Sequence, residues 1–287
     1  MTTLAERVAA ELSRPVPPEL AAIGERLLAR PGAQAVVFYG AALRDPAAAT
    51  ASGAGPLDFY VLTDPPAPGP MGRLLPPHVS FAAEGPNGAK VAAMTRAAFR
   101  ARMRRSGLDT TLWARFSQPA RLVSGEAHLD EVAEAVAEGI RTARWWTAHL
   151  LDDPGRDPLE DWARLYALTY GAELRVERGA GRAVAVTAAE PGWFRDVSDL
   201  APLPATTPEA CRRARHAWAR RRSAGKALNL ARLLKAAFTY RGGIAYALAK
   251  VERHSGRPVE LTRWQRRWPA LAAPLVLWRL WREGRLR

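Results

Sequence analysis

The chain has 287 residues, 48% of them hydrophobic, and a formal net charge of +14. That length and apolar content exclude global disorder and leave room for two domains with a sizeable core. A lone cysteine, Cys211, excludes an intrachain disulfide framework and a cysteine-based zinc cluster.

The charge is unevenly placed. From Ala205 onward there are 20 Lys+Arg against 4 Asp+Glu, a net of +16, which leaves the preceding residues at −2. Such asymmetry suits an anionic partner: a membrane surface, a nucleic acid or a phosphorylated substrate. An Arg-rich solvated surface from a GC-biased genome fits as well. Only four basic residues are lysine, namely Lys90, Lys226, Lys235 and Lys250, and these mark positions where a compact point charge serves best. No run of about 18 apolar residues is present. Met1 to Leu12 is amphipathic and has no signal-peptide core, so a cytoplasmic protein is expected.

Thr3 to Ala29 predicts one or two helices broken at Pro15-Val16-Pro17-Pro18. Pro31-Gly32 then turns the chain into a strand from Ala35 to Tyr39, which ends at Gly40, where backbone can approach a ligand closely. A small-residue loop leads to a second strand, Leu57 to Thr63, with Asp58 inside an otherwise apolar run. A carboxylate there needs a partner. Two readings fit: a divalent metal facing a nucleotide triphosphate, or a polar network at the strand end. The Pro65–Pro70 run is a stiff loop. His78 to Ala83 and Ala89 to Thr95 read as strands, with a basic helix from Arg96 to Arg105, and this alternation predicts an α/β domain.

Helical spacing runs from Leu129 to Leu151 and again from Asp157 to Leu168. Leu174–Arg178 and Ala183–Val186, joined by Gly179-Ala180-Gly181, read as a hairpin, and helix–helix–hairpin is the order of a winged-helix-like module. Leu200 to Pro208 reads as a linker. Beyond it, Lys226 to Ala237 has helical spacing with Arg232 and Lys235 on its flanks, and Gly242-Gly243 interrupts before Ile244 to Val251. Ala270 to Trp281 is apolar apart from Arg279, with Trp264, Trp268 and several arginines beside it. It suits a lipid headgroup level or an ordinary helix docked on the core, and it is too short for a span. The five histidines read as scattered surface or satisfied side chains.

Taken in order, these residues resemble the mitochondrial translocator assembly and maintenance protein family, whose members are phosphatidate cytidylyltransferases. The family's Tyr-Gly-Ser-Gly falls at Tyr39-Gly40-Ala41-Ala42, its Leu-Asp-Phe at Leu57-Asp58-Phe59, and its Lys-Tyr-Gly-Val at Lys90-Val91-Ala92-Ala93. Its Ala-Gly-Arg-Leu-x-Lys-Pro falls at Trp113 to Pro119. A looser match covers Leu168 to Arg175, and Lys-Gly-Ile-Phe-Thr-Ala-Gly falls near Lys235 to Arg241. Ala41 and Ala42 replace the family's serine and glycine, Tyr60 stands where related enzymes carry a second acid, and Gln118 replaces a lysine.

The resemblance implies a polymerase-beta-like nucleotidyltransferase domain over residues 1–125, a winged-helix-like domain over 126–205 and a basic, amphipathic helical membrane-binding region over 206–287. It implies CTP-dependent, Mg²⁺-dependent formation of CDP-diacylglycerol and pyrophosphate from phosphatidate or a related lipid phosphate, at the inner face of the membrane. The implied residues are Asp58, Lys90 and Arg115 for catalysis, and Tyr39, Gly40, Ala41 and Ala42 for the nucleotide. Asp58 with Asp64 (or Asp45) would hold the metal, and Lys226, Arg232, Lys235 and Arg241 the lipid phosphate. The alternatives are a catalytically degenerate lipid-binding homologue and an RNA-directed nucleotidyltransferase or nucleic-acid binder.

Overall fold

In the computed structural model, residues 2–44, 55–64, 76–85, 87–172, 179–239 and 259–283 are described. Asp45, the Pro65–Pro70 loop, Leu174 to Arg178 and the 240–258 segment with Arg241 lie outside them.

Two helices open the chain, α1 (Leu4–Leu12) and α2 (Pro18–Leu28). Thr3 caps α1 through a reciprocal capping box with Glu6, which satisfies two otherwise unpaired backbone donors. Pro18, at the first position of α2, costs that helix nothing because its missing N–H has no partner there. Next come β1 (Ala33–Tyr39), the single-turn α3 (Ala41–Arg44), β2 (Leu57–Thr63), β3 (His78–Ala82) and β4 (Ala89–Thr95). After α4 (Arg96–Met103) and α5 (Thr111–Phe116), β5 (Ala120–Ser124) completes the sheet. The strand order is β3-β4-β2-β1-β5. β1 lies antiparallel to β2 and β5, β2 parallel to β4, and β3 antiparallel to β4.

Period-two alternation along β1 and β2 sends side chains to two different cores. Val36, Phe38, Phe59 and Val61 pack beneath the sheet against Ile23 and Leu27 of α2. Ala35, Val37, Tyr39, Tyr60 and Leu62 face the other way, into a larger cluster that begins at Leu4 and extends to Trp218. That cluster is covered by α1, α4 and α5 together with the C-terminal helices. These are α6 (Leu129–Leu150), α7 (Pro158–Ala172), α8 (Gly179–Ala189), α9 (Pro191–Leu200) and α10 (Pro208–Thr239). The fold is mixed α/β with a five-stranded sheet.

The expected hairpin is not formed. Ala183 to Val186 lie inside α8, and the buried positions Ala183, Val186 and Thr187 recur at helical spacing while Val184 is exposed. Alternating Ala and Val imitates a strand, but alanine favours a helix, and packing against α7 satisfies that face. The wing of the expected winged-helix module is therefore lost at its second strand.

The basic region starts as a packed element. On α10, Ala214 and Trp218 enter the main cluster, and Trp218 stacks near Trp146 and Trp113 at ring-centre distances of 5.1 and 6.4 Å. Arg221 lies over the Trp146 ring at 4.6 Å and donates to the Arg105 carbonyl at 2.6 Å. Its burial lowers the guanidinium pKa from the usual value. Two further helices follow, α11 (Arg263–Arg267) and α12 (Pro269–Arg282). Among the described residues no helix is long and apolar enough to cross a membrane.

Candidate active site

Register, rather than sequence proximity, assembles the site. Tyr39 pairs across the sheet with Asp58, and Asp58 with Lys90. Residues in register point to the same face of a sheet, so these three side chains form one lateral row across β1, β2 and β4. The row sits where the apolar cluster ends: Asp58 and Lys90 are each about a third exposed, at 31% and 29%. Lys90 Nζ lies 3.3 Å from Asp58 Oδ1, and the Tyr39 hydroxyl donates to the same oxygen over 3.4 Å.

Gly40 follows immediately, with φ +99°. Only glycine takes this conformation without strain, and a Cβ there would sit 3.2 Å from Asp58 Oδ2. Backbone and carboxylate thus share a narrow space at the end of β1. Ala41 and Ala42 form the first half of α3, whose Leu43 N–H returns to the Gly40 carbonyl.

Arg115, on α5, reaches the row from above. Its guanidinium lies 5.2 Å from the Tyr39 ring centre and donates to the Tyr60 hydroxyl over 3.5 Å. Tyr39, Tyr60 and Phe116 pack ring to ring at 5.1 to 5.5 Å and hold that approach in place. Burial pushes the Tyr39 phenol well above its usual range; the nearby Arg115 charge pulls it back in part and Asp58 raises it further. Tyr39 is therefore a neutral donor at physiological pH. The arrangement places one carboxylate, one ammonium, one guanidinium and one phenol around a positive-φ turn, a combination suited to holding a phosphate chain.

Sequence reasoning missed two arginines, Arg44 and Arg182. Arg44, on α3, donates to Gln118 Oε1 over 3.3 Å. Burial lowers its pKa from the usual value, and the charge of Arg182 on α8 lowers it further. Nothing in the sequence pattern links positions 44, 118 and 182; the packing of α8 on α7 brings them into one neighbourhood.

One expectation is corrected by the strand itself. Asp58 is the second residue of β2 and Asp64 follows the strand's end, and a rise of six residues along it separates them by roughly 20 Å. They cannot hold one ion. Asp64 instead receives Arg96 Nη2 at 3.1 Å, and Arg96 also pairs with Glu131 at 2.5 Å. Among the described residues no group of three metal-ligating side chains converges. Mg²⁺ often takes a single carboxylate and completes its shell with phosphate and water oxygens, and Asp58, partly exposed with Oδ2 toward the Gly40 turn, fits that mode. Lys226, Arg232 and Lys235 lie within the span of α10, the helix that also carries Trp218.

No family model matches the chain, and no curated protein is significantly similar to it.

Proposed function

We propose that the protein transfers a cytidylyl group from CTP to a lipid phosphate, phosphatidate being the acceptor that the resemblance implies. The observation that carries this reading is the row Tyr39–Asp58–Lys90 beside the Gly40 turn, with Arg115 reaching it from α5.

In this reading the backbone N–H groups after Gly40 cradle the triphosphate, and Asp58 holds Mg²⁺. The ion, when bound, supplies charge screening for the triphosphate. Lys90 leaves Asp58 for the α-phosphate, and Arg115 faces the departing pyrophosphate. An oxygen of the acceptor phosphate attacks the α-phosphorus in line, the bond to the β-phosphate oxygen breaks, and pyrophosphate carries away the electron pair. A phosphate monoester is already anionic near neutral pH, so no strong general base is needed, and positioning and charge neutralisation dominate. Lys226, Arg232, Lys235 and Arg241 would hold the lipid phosphate.

Incubating the purified protein with labelled CTP, Mg²⁺ and phosphatidate should give a CDP-lipid detectable by mass spectrometry. Failure with phosphatidate and with every other lipid phosphate sinks the transferase reading. A second reading, a phosphate-binding protein without turnover, is favoured by one observation: Lys90 and Tyr39 both engage Asp58 Oδ1, which neutralises the carboxylate. Thermal stabilisation by CTP without any product would select it.

A further inference from the structure

We infer that Arg44, braced by Gln118, takes the terminal phosphates of the triphosphate and holds the pyrophosphate as it leaves. The inference rests on the reading of the Gly40 turn as a triphosphate cradle. Arg44 ends α3 (Ala41–Arg44), the single turn that follows Gly40 and whose Leu43 N–H bonds back to the Gly40 carbonyl at 3.2 Å. Its guanidinium donates through Nη1 to Gln118 Oε1 at 3.3 Å. Gln118 follows α5. Its backbone N–H returns to the Arg115 carbonyl at 3.4 Å, and its side-chain amide donates to the Ala114 carbonyl at 3.2 Å. Each end of the Arg44–Gln118 contact therefore comes from a residue about one helical turn from a group of the proposed site, Gly40 on one side and Arg115 on the other. A helical turn rises only about 5 Å, a step that a chain of phosphates bridges.

The surroundings of Arg44 identify the ligand. Arg44 is half-buried. Among the described residues no carboxylate pairs with it, and its side-chain hydrogen-bond partner is a neutral amide. By contrast Arg102 and Arg121, also withdrawn from solvent, meet Asp109 and Glu11 at 2.6 Å. A guanidinium keeps its proton, so Arg44 is a cation taken partly out of water with no counter-charge in contact. Burial and the charge of Arg182 both work against it, and Tyr170, Tyr166 and Glu190 offset this only in part. Such a group is a cost to the fold unless an anion meets it. The guanidinium fork matches phosphate oxygens, and Gln118 occupies only one of its five N–H donors. The terminal phosphates supply the missing charge, and the positive field of Arg182 favours them too. The motif that the chain resembles has a lysine at position 118; here the cation reaches that point from α3.

The test is thermal melting of the full-length protein in excess Mg²⁺ with increasing inorganic pyrophosphate. Pyrophosphate should stabilise the wild type, and Arg44→Gln should need about tenfold more of it, or beyond, for the same shift. Without pyrophosphate, Arg44→Gln should melt at or above the wild type, because it removes an uncompensated charge. A marked fall there would make Arg44 a strut of the fold and overturn the proposal. Arg44→Gln combined with Gln118→Lys brings the cation from the other wall and should restore most of the response. Should that pair fail to fold, Arg44→Lys should respond between the wild type and Arg44→Gln. A rescue variant no better than Arg44→Gln overturns the proposal, as does a wild type that pyrophosphate leaves unchanged or an Arg44→Gln that responds equally. Assaying the same samples for CDP-lipid separates the two readings. Pyrophosphate binding through Arg44 without product rejects only the transfer, whereas product formation with Arg44→Gln responding like the wild type rejects only this role of Arg44.

Discussion

Asp58 and Asp64 stand at opposite ends of the same strand, β2, and their surroundings differ in kind. Asp64 is a tie point: Arg96 joins it to Glu131 on α6, and the same guanidinium meets His128 Nδ1 at 3.0 Å. Those contacts fasten the end of β2 to the start of α6. Asp58 sits in a row of side chains contributed by three strands, next to a glycine turn, with one oxygen held by Lys90 and Tyr39. Its charged partner, Lys90, is partly exposed, so a ligand can replace it. The same residue type serves anchoring at one end and availability at the other, and the surrounding register decides which.

The sharpest way to break this comparison is to neutralise each aspartate in turn. Asp58→Asn should lower nucleotidyl transfer by about 100-fold or more, the size expected when a charged group facing the reacting phosphates is lost. Asp64→Asn should leave the rate within about twofold. Both variants should melt close to the wild type, because neither side chain is buried. Equal loss of activity in the two variants would place the chemistry elsewhere.

Alkaline pH probes the Tyr39 end. Burial raises the pKa of Tyr39 and of Tyr166, which shares a hydrogen bond of 3.0 Å with Ser117, well above the usual value of 10.0. Above pH 10 the unfolded chain loses phenolic protons that the folded chain keeps. Unfolding then releases protons, and stability falls as pH rises, by about 1.4 kcal/mol per pH unit for each such phenol. Below pH 10 both states hold the proton and neither phenol contributes a slope. Tyr39→Phe should remove about half of this combined slope in chemical denaturation followed between pH 10 and 11, and an unchanged slope would mean that Tyr39 ionises freely in the folded protein.

The first two strands of this sheet were legible because the runs Ala35 to Tyr39 and Leu57 to Leu62, rich in Val, Phe, Tyr and Leu and bounded by Gly, Pro and Asp, are local signals. The pairing of Asp58 with Lys90 is not local: it depends on β2 and β4 running parallel in one register, with β3 placed outside β4. Asp58 stood out as a carboxylate inside an apolar strand and Lys90 through the scarcity of lysine; only the resemblance to known motifs linked them, not their spacing. Assigning Asp64 to the same metal failed because sequence proximity along an extended strand means distance. The hairpin failed because alternating Ala and Val satisfies two periods at once, and contacts with α7 decide between them. β5 was missed since Ala120-Arg121-Leu122-Val123-Ser124 buries an arginine, and its partner, Glu11, lies 110 residues away with Arg121 Nη1 at 2.6 Å.

Gly40 tests how tightly the open end is built. Gly40→Ala forces an alanine into φ near +99°, which costs about 1–2 kcal/mol. It also places a methyl 3.2 Å from Asp58 Oδ2. A modest drop in stability should therefore accompany a larger loss of transfer than stability explains. Retention of full activity by a destabilised Gly40→Ala would show that the turn serves the fold alone.

Arg96→Ala tests the closed end and has the smallest expected effect. It removes the link between Asp64 and Glu131 and the contact with His128, but the guanidinium is about a quarter exposed, and solvent-screened pairs of this kind contribute about 1 kcal/mol together. In a chain of this length that corresponds to a fall of about 2 °C in melting temperature, with transfer unchanged at temperatures well below the transition. Loss of transfer without loss of stability would mean that β2 carries strain from its Asp64 end to Asp58, and that the strand's two ends are coupled rather than separately specified.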